Sequence, residues 1–136
     1  MRHGGRPTGT QKVESYRDLR VWQLGMDLVA EAYRLSRSLP ASERYGLRSQ
    51  IQRAAISVPA NIAEGNARNQ LGAYLNHLRL AKGSLAELET LFALGTRLSF
   101  FDERAVQQHL KAADDLSRML ATLIRRLEAP NRSKLE

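Results

Sequence analysis

The chain of 136 residues contains no cysteine. Thiol catalysis, thiolate metal sites and disulfides are therefore excluded, and chemistry falls to its histidines, carboxylates and arginines. Helical proteins build two-metal sites from Glu-x-x-His pairs on facing helices. Neither interior histidine has that spacing: His77 follows Tyr74 at three residues and His109 follows Val106. His77, His109 and the N-terminal His3 read as surface or interface residues. Asp114 and Asp115 are adjacent and diverge around a helix, and Glu87 and Glu89 diverge by roughly 200°, so neither pair makes an acid/base dyad. The chain has no Walker motif, no glycine fingerprint after a strand and no serine nucleophile elbow. These residues predict a protein that is not an enzyme and carries neither metal nor cofactor.

The remaining candidate chemistry is cationic. The formal net charge is +7 and the isoelectric point is near 10.4. Residues 1–15 hold +2 of that charge and residues 130–136 hold +1, which leaves +4 between them. A basic domain attracts polyanions, and arginine, far commoner here than lysine, suits bidentate phosphate contacts. Arg48, Arg53 and Arg68 lie on or beside one predicted helix, and Arg79 and Lys82 lie on the next. These five are the candidate nucleic-acid contacts; a solvated helix face is the alternative, because no basic run or aromatic-interleaved motif accompanies them.

The elements that must position these groups are helical. Leu and Ala dominate, and aromatics make up only 6%. The spacing predicts helices over residues 18–39, 43–68, 70–98 and from 102 to about 129. Leu19, Trp22, Met26, Val29 and Tyr33 form the apolar stripe of the first. Leu47, Ile51, Ala55, Val58 and Ile62 form that of the second. Leu71, Leu75, Leu78, Leu85, Leu88, Phe92 and Gly95 share a face of the third, with Lys82 falling on it. Val106, Leu110, Ala113, Leu116, Leu120, Leu123 and Leu127 line the fourth. Pro40 ends the first helix, Ser42 offers an N-cap to the second with Glu43 in its first turn, and Asp102 caps the fourth. Gly65 and Asn66 read as a stop signal or a local distortion. The expected fold is all-α: an up-down-up-down four-helix bundle over residues 16–129, between a disordered basic tail (1–15) and a frayed C-terminal tail (130–136).

Pro59 sits inside the apolar pattern of the second helix. An interior proline costs about 3 kcal/mol, and the stripe stays in phase to Ile62, so one helix kinked at Pro59 is expected. Asn61 and Glu64 follow the kink; the amide can satisfy a backbone carbonyl freed there, and Glu64 can pair with Arg53 or Arg68. Gly83 and Ser84, with Ala81 and Ala86, mark close helix packing. The first and third helices also carry surplus apolar residues off their main stripes: Val21, Leu24, Leu28 and Leu35, then Tyr74, Leu80, Leu91 and Leu94. A second apolar face predicts a homo-oligomer. The longest uncharged apolar run, residues 54–63, is too short to cross a bilayer, and the N-terminus has no apolar signal-peptide core; a cytoplasmic protein away from the membrane is expected.

Several segments together resemble the 23S rRNA intervening-sequence proteins, whose relatives include the accessory protein of diversity-generating retroelements. They are YRDLRVW (16–22), Pro40 with Glu43 and Tyr45-Gly46-Leu47, SQIQRAAISVPANIAEG (49–65) with Arg68, AKGSLAELET (81–90) and Met119-Leu120. The resemblance spans residues 16–128. It implies a four-helix bundle assembled as a ring-like homopentamer, and a link to nucleic acid and to a reverse-transcriptase partner through basic surfaces. Asn66-Ala67 depart from the aromatic-glycine pair that often precedes the family's arginine, which weakens any transfer to Arg68. Two functions follow as expectations: an oligomer that binds RNA or DNA through basic surfaces, or a scaffold for a protein partner with no specific nucleic-acid ligand.

Overall fold

The computed structural model describes residues 15–130; the two terminal tails expected from the sequence lie outside, or almost outside, that span. Four α-helices carry the fold: α1 (Arg20–Ser36), α2 (Leu47–Ala67), α3 (Leu71–Arg97) and α4 (Glu103–Glu128). Short 3-10 turns at Tyr16–Asp18 and Ala41–Glu43 precede α1 and α2. Each helix packs on its neighbours in chain order and α1 closes onto α4, with no close backbone approach across either diagonal among the described residues. This is an up-down-up-down four-helix bundle. The α2–α3 seam is the most extensive and the α1–α4 seam the least.

Helix boundaries differ from the sequence expectation where polar side chains compete with the helix. The hydroxyl of Ser36 donates to the Tyr33 carbonyl at 2.9 Å and that of Ser38 to the Leu35 carbonyl at 3.0 Å, and α1 stops at Ser36 rather than running to Leu39. Ser42 lies within the 3-10 turn and does not cap α2. The cap is the Glu43 carboxylate, which accepts the Leu47 N–H at 2.9 Å; a side chain at Gly46 would come within 2.8 Å of that same oxygen. Asp102 does hold the N-cap position of α4, though its side chain makes no cap hydrogen bond. The stop after α2 is Asn69, in the left-handed region at φ 58°, not Gly65-Asn66. Ser99, at φ 68°, plays the same part after α3, where the Gly95 carbonyl accepts from Phe100 at 2.8 Å.

The α2 helix runs unbroken through Pro59. Proline lacks the N–H that would bond the Ala55 carbonyl, and its buried ring faces Gly25 of α1, where a Cβ would sit 3.4 Å from the Pro59 Cβ. The core stripe of α2 is the expected one: Leu47, Ile51, Ala55, Val58 and Ile62 are all buried. The inward side of α1 is rotated from the expected stripe: Leu19, Trp22 and Val29 still pack partly against the core, but its centre lies on residues expected off the stripe. Val21, Leu28, Ala32 and Leu35 enter the core, whereas Met26 is 46% and Tyr33 37% exposed. Both stripes have helical periodicity, and only the neighbouring helices decide which one turns inward. On α3 the expected face holds from Leu78 to Gly95, with Leu71 left exposed and His77 and Ala81 buried instead.

Both interior histidines are buried within the single chain, which corrects their reading as surface or interface residues. The ring of His109, 3% exposed, stands edge-on to Phe92 with centroids 4.8 Å apart. His77 packs against Gly65, where a Cβ would lie only 2.6 Å from the His77 Cβ. Close helix packing is therefore the work of Gly25, Gly65 and Gly95, the last of which admits the Phe101 ring. Gly83 is exposed and has nothing within 4 Å, so it makes no close packing inside the chain.

Candidate nucleic-acid interface

Basic side chains gather around the last turns of α4. Arg118, Arg125 and Arg126 recur at seven- and eight-residue spacing, which holds them on the outward side of that helix. Cations there also complement the partial negative charge of a helix C-terminus. Two shallow clefts flank the helix. One, of about 410 Å³, lies against α1 and is lined by Arg20, Arg118 and Arg126. The other, of about 400 Å³, lies against α3 and is lined by Arg79, Lys82 and Arg125 over Ala121 and Ile124. No carboxylate lines either cleft. Arg118 pairs with Asp114 at 2.9 Å, Arg79 pairs with Glu128, and Arg125 donates to the Thr122 hydroxyl at 3.3 Å. These are exposed partners, and exchanging one of them for a phosphate costs little.

Of the five residues expected from the sequence, the fold brings two, Arg79 and Lys82, into this surface. Arg48 is half-buried at the start of α2, and its Nε donates to the Ser36 carbonyl at 3.4 Å, closing the end of α1. Arg53 is exposed further along α2, and Arg68 is tied to Glu64 at 3.2 Å. Sequence reasoning missed Arg20, Arg118, Arg125 and Arg126. The i, i+7 and i+8 spacing on α4 was a usable signal; Arg20 had none, because only the α1–α4 contact places it there.

A second polar constellation crosses the α2–α3 seam. The Asn61 amide donates to the Ser57 carbonyl at 2.8 Å and to the Ser57 hydroxyl at 3.0 Å, and that hydroxyl shares a 2.6 Å bond with Ser84. The carbonyl it meets is that of Ser57, two residues beyond the Ala55 carbonyl to which Pro59 cannot donate. Asn61 Oδ1 lies 2.9 Å from His77 Nδ1, so that nitrogen carries the proton and donates. His77 Nε2 is then 3.9 Å from Glu64, and Glu64 holds Arg68 rather than Arg53. The network satisfies polar groups at a tight helix crossing; it presents no nucleophile next to a base and no open position where a substrate could sit. Ser84 thus meets Ser57 across the seam, while its neighbour Gly83 meets nothing within 4 Å.

Among the described residues no group of three His, Asp or Glu side chains could hold a metal, and no helix is long and apolar enough to cross a membrane.

Four helices in up-down order, with basic clefts beside the last, define an all-α bundle protein. A family model described as 23S rRNA-intervening sequence protein matches residues 17–122, and the chain belongs to that family. Among solved structures, it is similar to a protein of unknown function from the S23 ribosomal protein family of Bacteroides thetaiotaomicron. The TM-score is 0.71 at 19% identity, over 76% of this chain and 97% of that one; at that identity the likeness speaks for the fold. No curated protein matches the chain.

Proposed function

We propose that the protein is a non-enzymatic oligomer that binds RNA or other nucleic acid through the two basic clefts beside the C-terminal half of α4. The observation that carries this reading is the convergence of Arg20, Arg118 and Arg126 on one side and Arg79, Lys82 and Arg125 on the other, with no acidic side chain lining either cleft. Contacts of this kind go to phosphates and release counterions, so six of them on duplex DNA give a slope of about −5 in log affinity against log salt. A homopentamer, expected from the family resemblance, would repeat the clefts around its axis and lengthen the footprint. The test is a salt-resolved anisotropy titration with a structured RNA, duplex DNA and heparin as competitor. Replacing Arg20, Lys82, Arg125 and Arg126 with glutamate together should weaken binding at least tenfold and flatten the salt slope. Replacing Arg48 and Arg53 should do neither. Unchanged binding in the fourfold variant ends the proposal.

A second reading, the protein-interaction scaffold, draws support from the exposed apolar face turned out by α1 and α2. Met26 and Tyr33 lie seven residues apart on α1. Ile56, 45% exposed on α2, is one turn from both Gln52 and Pro59, which touch α1. A face of this kind suits a second subunit or a partner such as a reverse transcriptase. A Met26→Glu, Ile56→Glu variant that keeps the oligomeric mass of the parent chain excludes this face from self-association; recovery of the same protein partner by both forms excludes it from partner binding.

A further inference from the structure

A groove of about 590 Å³ with no role yet given lies between α1 and α4, and it opens along the least extensive helix seam. Its floor is apolar: Leu24 and Leu28 from α1, Leu116 and Met119 from α4. His109 lies in that floor with only 3% of its surface exposed, and neither ring nitrogen has a hydrogen-bond partner. A buried imidazole with an unpaired donor and an unpaired acceptor bears the desolvation penalty of both groups. Such groups are normally satisfied in folded proteins, and an unmet pair just beneath the wall of a groove points to a ligand there. The packing of Phe92 against one edge of the ring holds it in place.

The rim sets the charge of that ligand. Asp27 and Glu31 stand on α1 and Asp115 on α4, against one cation, Arg20, which also faces the neighbouring basic cleft. Glu31 is held ionised by Arg34, whose Nε donates to it at 3.1 Å. Asp115 leans on Lys111 at 3.4 Å. Among the described residues Asp27 has no ion-pair or hydrogen-bond partner. An acidic rim over an apolar floor, in a chain of net charge +7, is the reverse of the phosphate-facing clefts. We propose that the α1–α4 groove binds a small amphipathic organic cation, its apolar body lying over Leu28 and Leu116, its ammonium group among Asp27, Glu31 and Asp115, and a polar atom within reach of His109.

The experiment uses the full chain with 15N-labelled histidine and hexylamine hydrochloride as the probe, with hexanol and sodium hexanoate beside it. The ring nitrogens of His109 should shift saturably with hexylamine, while those of His77 stay in place. Hexanoate should have no effect, and hexanol should need at least a fivefold higher concentration. The Asp27→Asn, Glu31→Gln double variant, which alters only rim carboxylates, should weaken hexylamine at least fivefold. Ala112→Leu, which fills the groove from its exposed wall, should abolish the shift with the backbone spectrum otherwise retained. The proposal is overturned if hexylamine produces no saturable change at His109, if all three probes act alike, or if the rim variant responds as the parent does.

Discussion

The same substitution should have opposite effects at two glycines of this bundle. An alanine at position 65 would place its Cβ 2.6 Å from the Cβ of His77, 3.3 Å from its Cγ and 3.4 Å from the Tyr74 backbone. Tolerable carbon contacts begin near 3.5 Å, so α2 and α3 must part by about 1 Å at their crossing. Overpacking of that size costs about 1–3 kcal/mol. Displacing His77 also strains its 2.9 Å bond to Asn61, worth about 1 kcal/mol. Against this, alanine gains up to about 1 kcal/mol over glycine in a helix interior. Gly65→Ala should thus destabilise by about 1–3 kcal/mol. Gly83→Ala meets nothing within 4 Å and keeps only the gain, about 0.5–1 kcal/mol. For a domain of this size 1 kcal/mol is worth about 4 °C, so the two variants should melt about 6–16 °C apart. Urea and thermal unfolding at one fixed protein concentration, with mass measured on the same samples, give the answer. Equal midpoints for the two variants would refute the packing argument. Loss of oligomeric mass in Gly83→Ala alone would assign Gly83 to a contact between chains.

Further outcomes follow from individual side chains. Burial pushes the His109 imidazole below its ordinary value, opposed by the nearby Glu31, so the fold favours the neutral ring. Stability should be full above about pH 6.5, the unfolded value, and decline as pH falls from there to the folded value; His109→Leu should flatten that part of a urea-midpoint profile. Partial burial pushes the Glu89 carboxyl up, with Asp114 adding to it. The penalty is absent below the unfolded value and complete above the folded one, so Glu89→Gln should raise the urea midpoint at pH 7 and lose its advantage near pH 4. Asn61→Ala removes the partner of His77 Nδ1 and two bonds to Ser57 at the α2–α3 seam and should cost about 1–3 kcal/mol, read as a shift in the urea midpoint without a change in slope. Phe92→Ala empties the contact shared by Phe101 and His109 and should cost about 3–5 kcal/mol.

The number and order of the helices were legible because the apolar residues of α2 and α4 recur at one helical period and occupy one face each. The helix starts were less so: Ser42 has the right chemistry for a cap, but the backbone enters a 3-10 turn there and hands the task to Glu43. Of the basic residues lining the candidate clefts, only two were singled out from the sequence. Arg79 and Lys82 are near neighbours on one helix, and their charge suffices to mark them. Arg48 has the same charge and is spent closing α1, a use that depends on where Ser36 lies in space.

What the sequence alone determined is what depends on neighbours three, four and seven residues away: helical state, amphipathic period, the breaks at Pro40 and before α4, and the continuity of α2 across Pro59. These are local interactions, set before any helix meets another. The tertiary structure decided everything that requires two helices at once. It chose the Val21–Leu28–Leu35 side of α1 for the core over the Met26–Tyr33 side, since both have the same period and only packing against α2 and α4 tells them apart. It buried His77 and His109, whose partners lie on other helices. It made tight crossings of Gly25, Gly65 and Gly95 and left Gly83 open, because a glycine's role depends on what stands opposite its missing side chain.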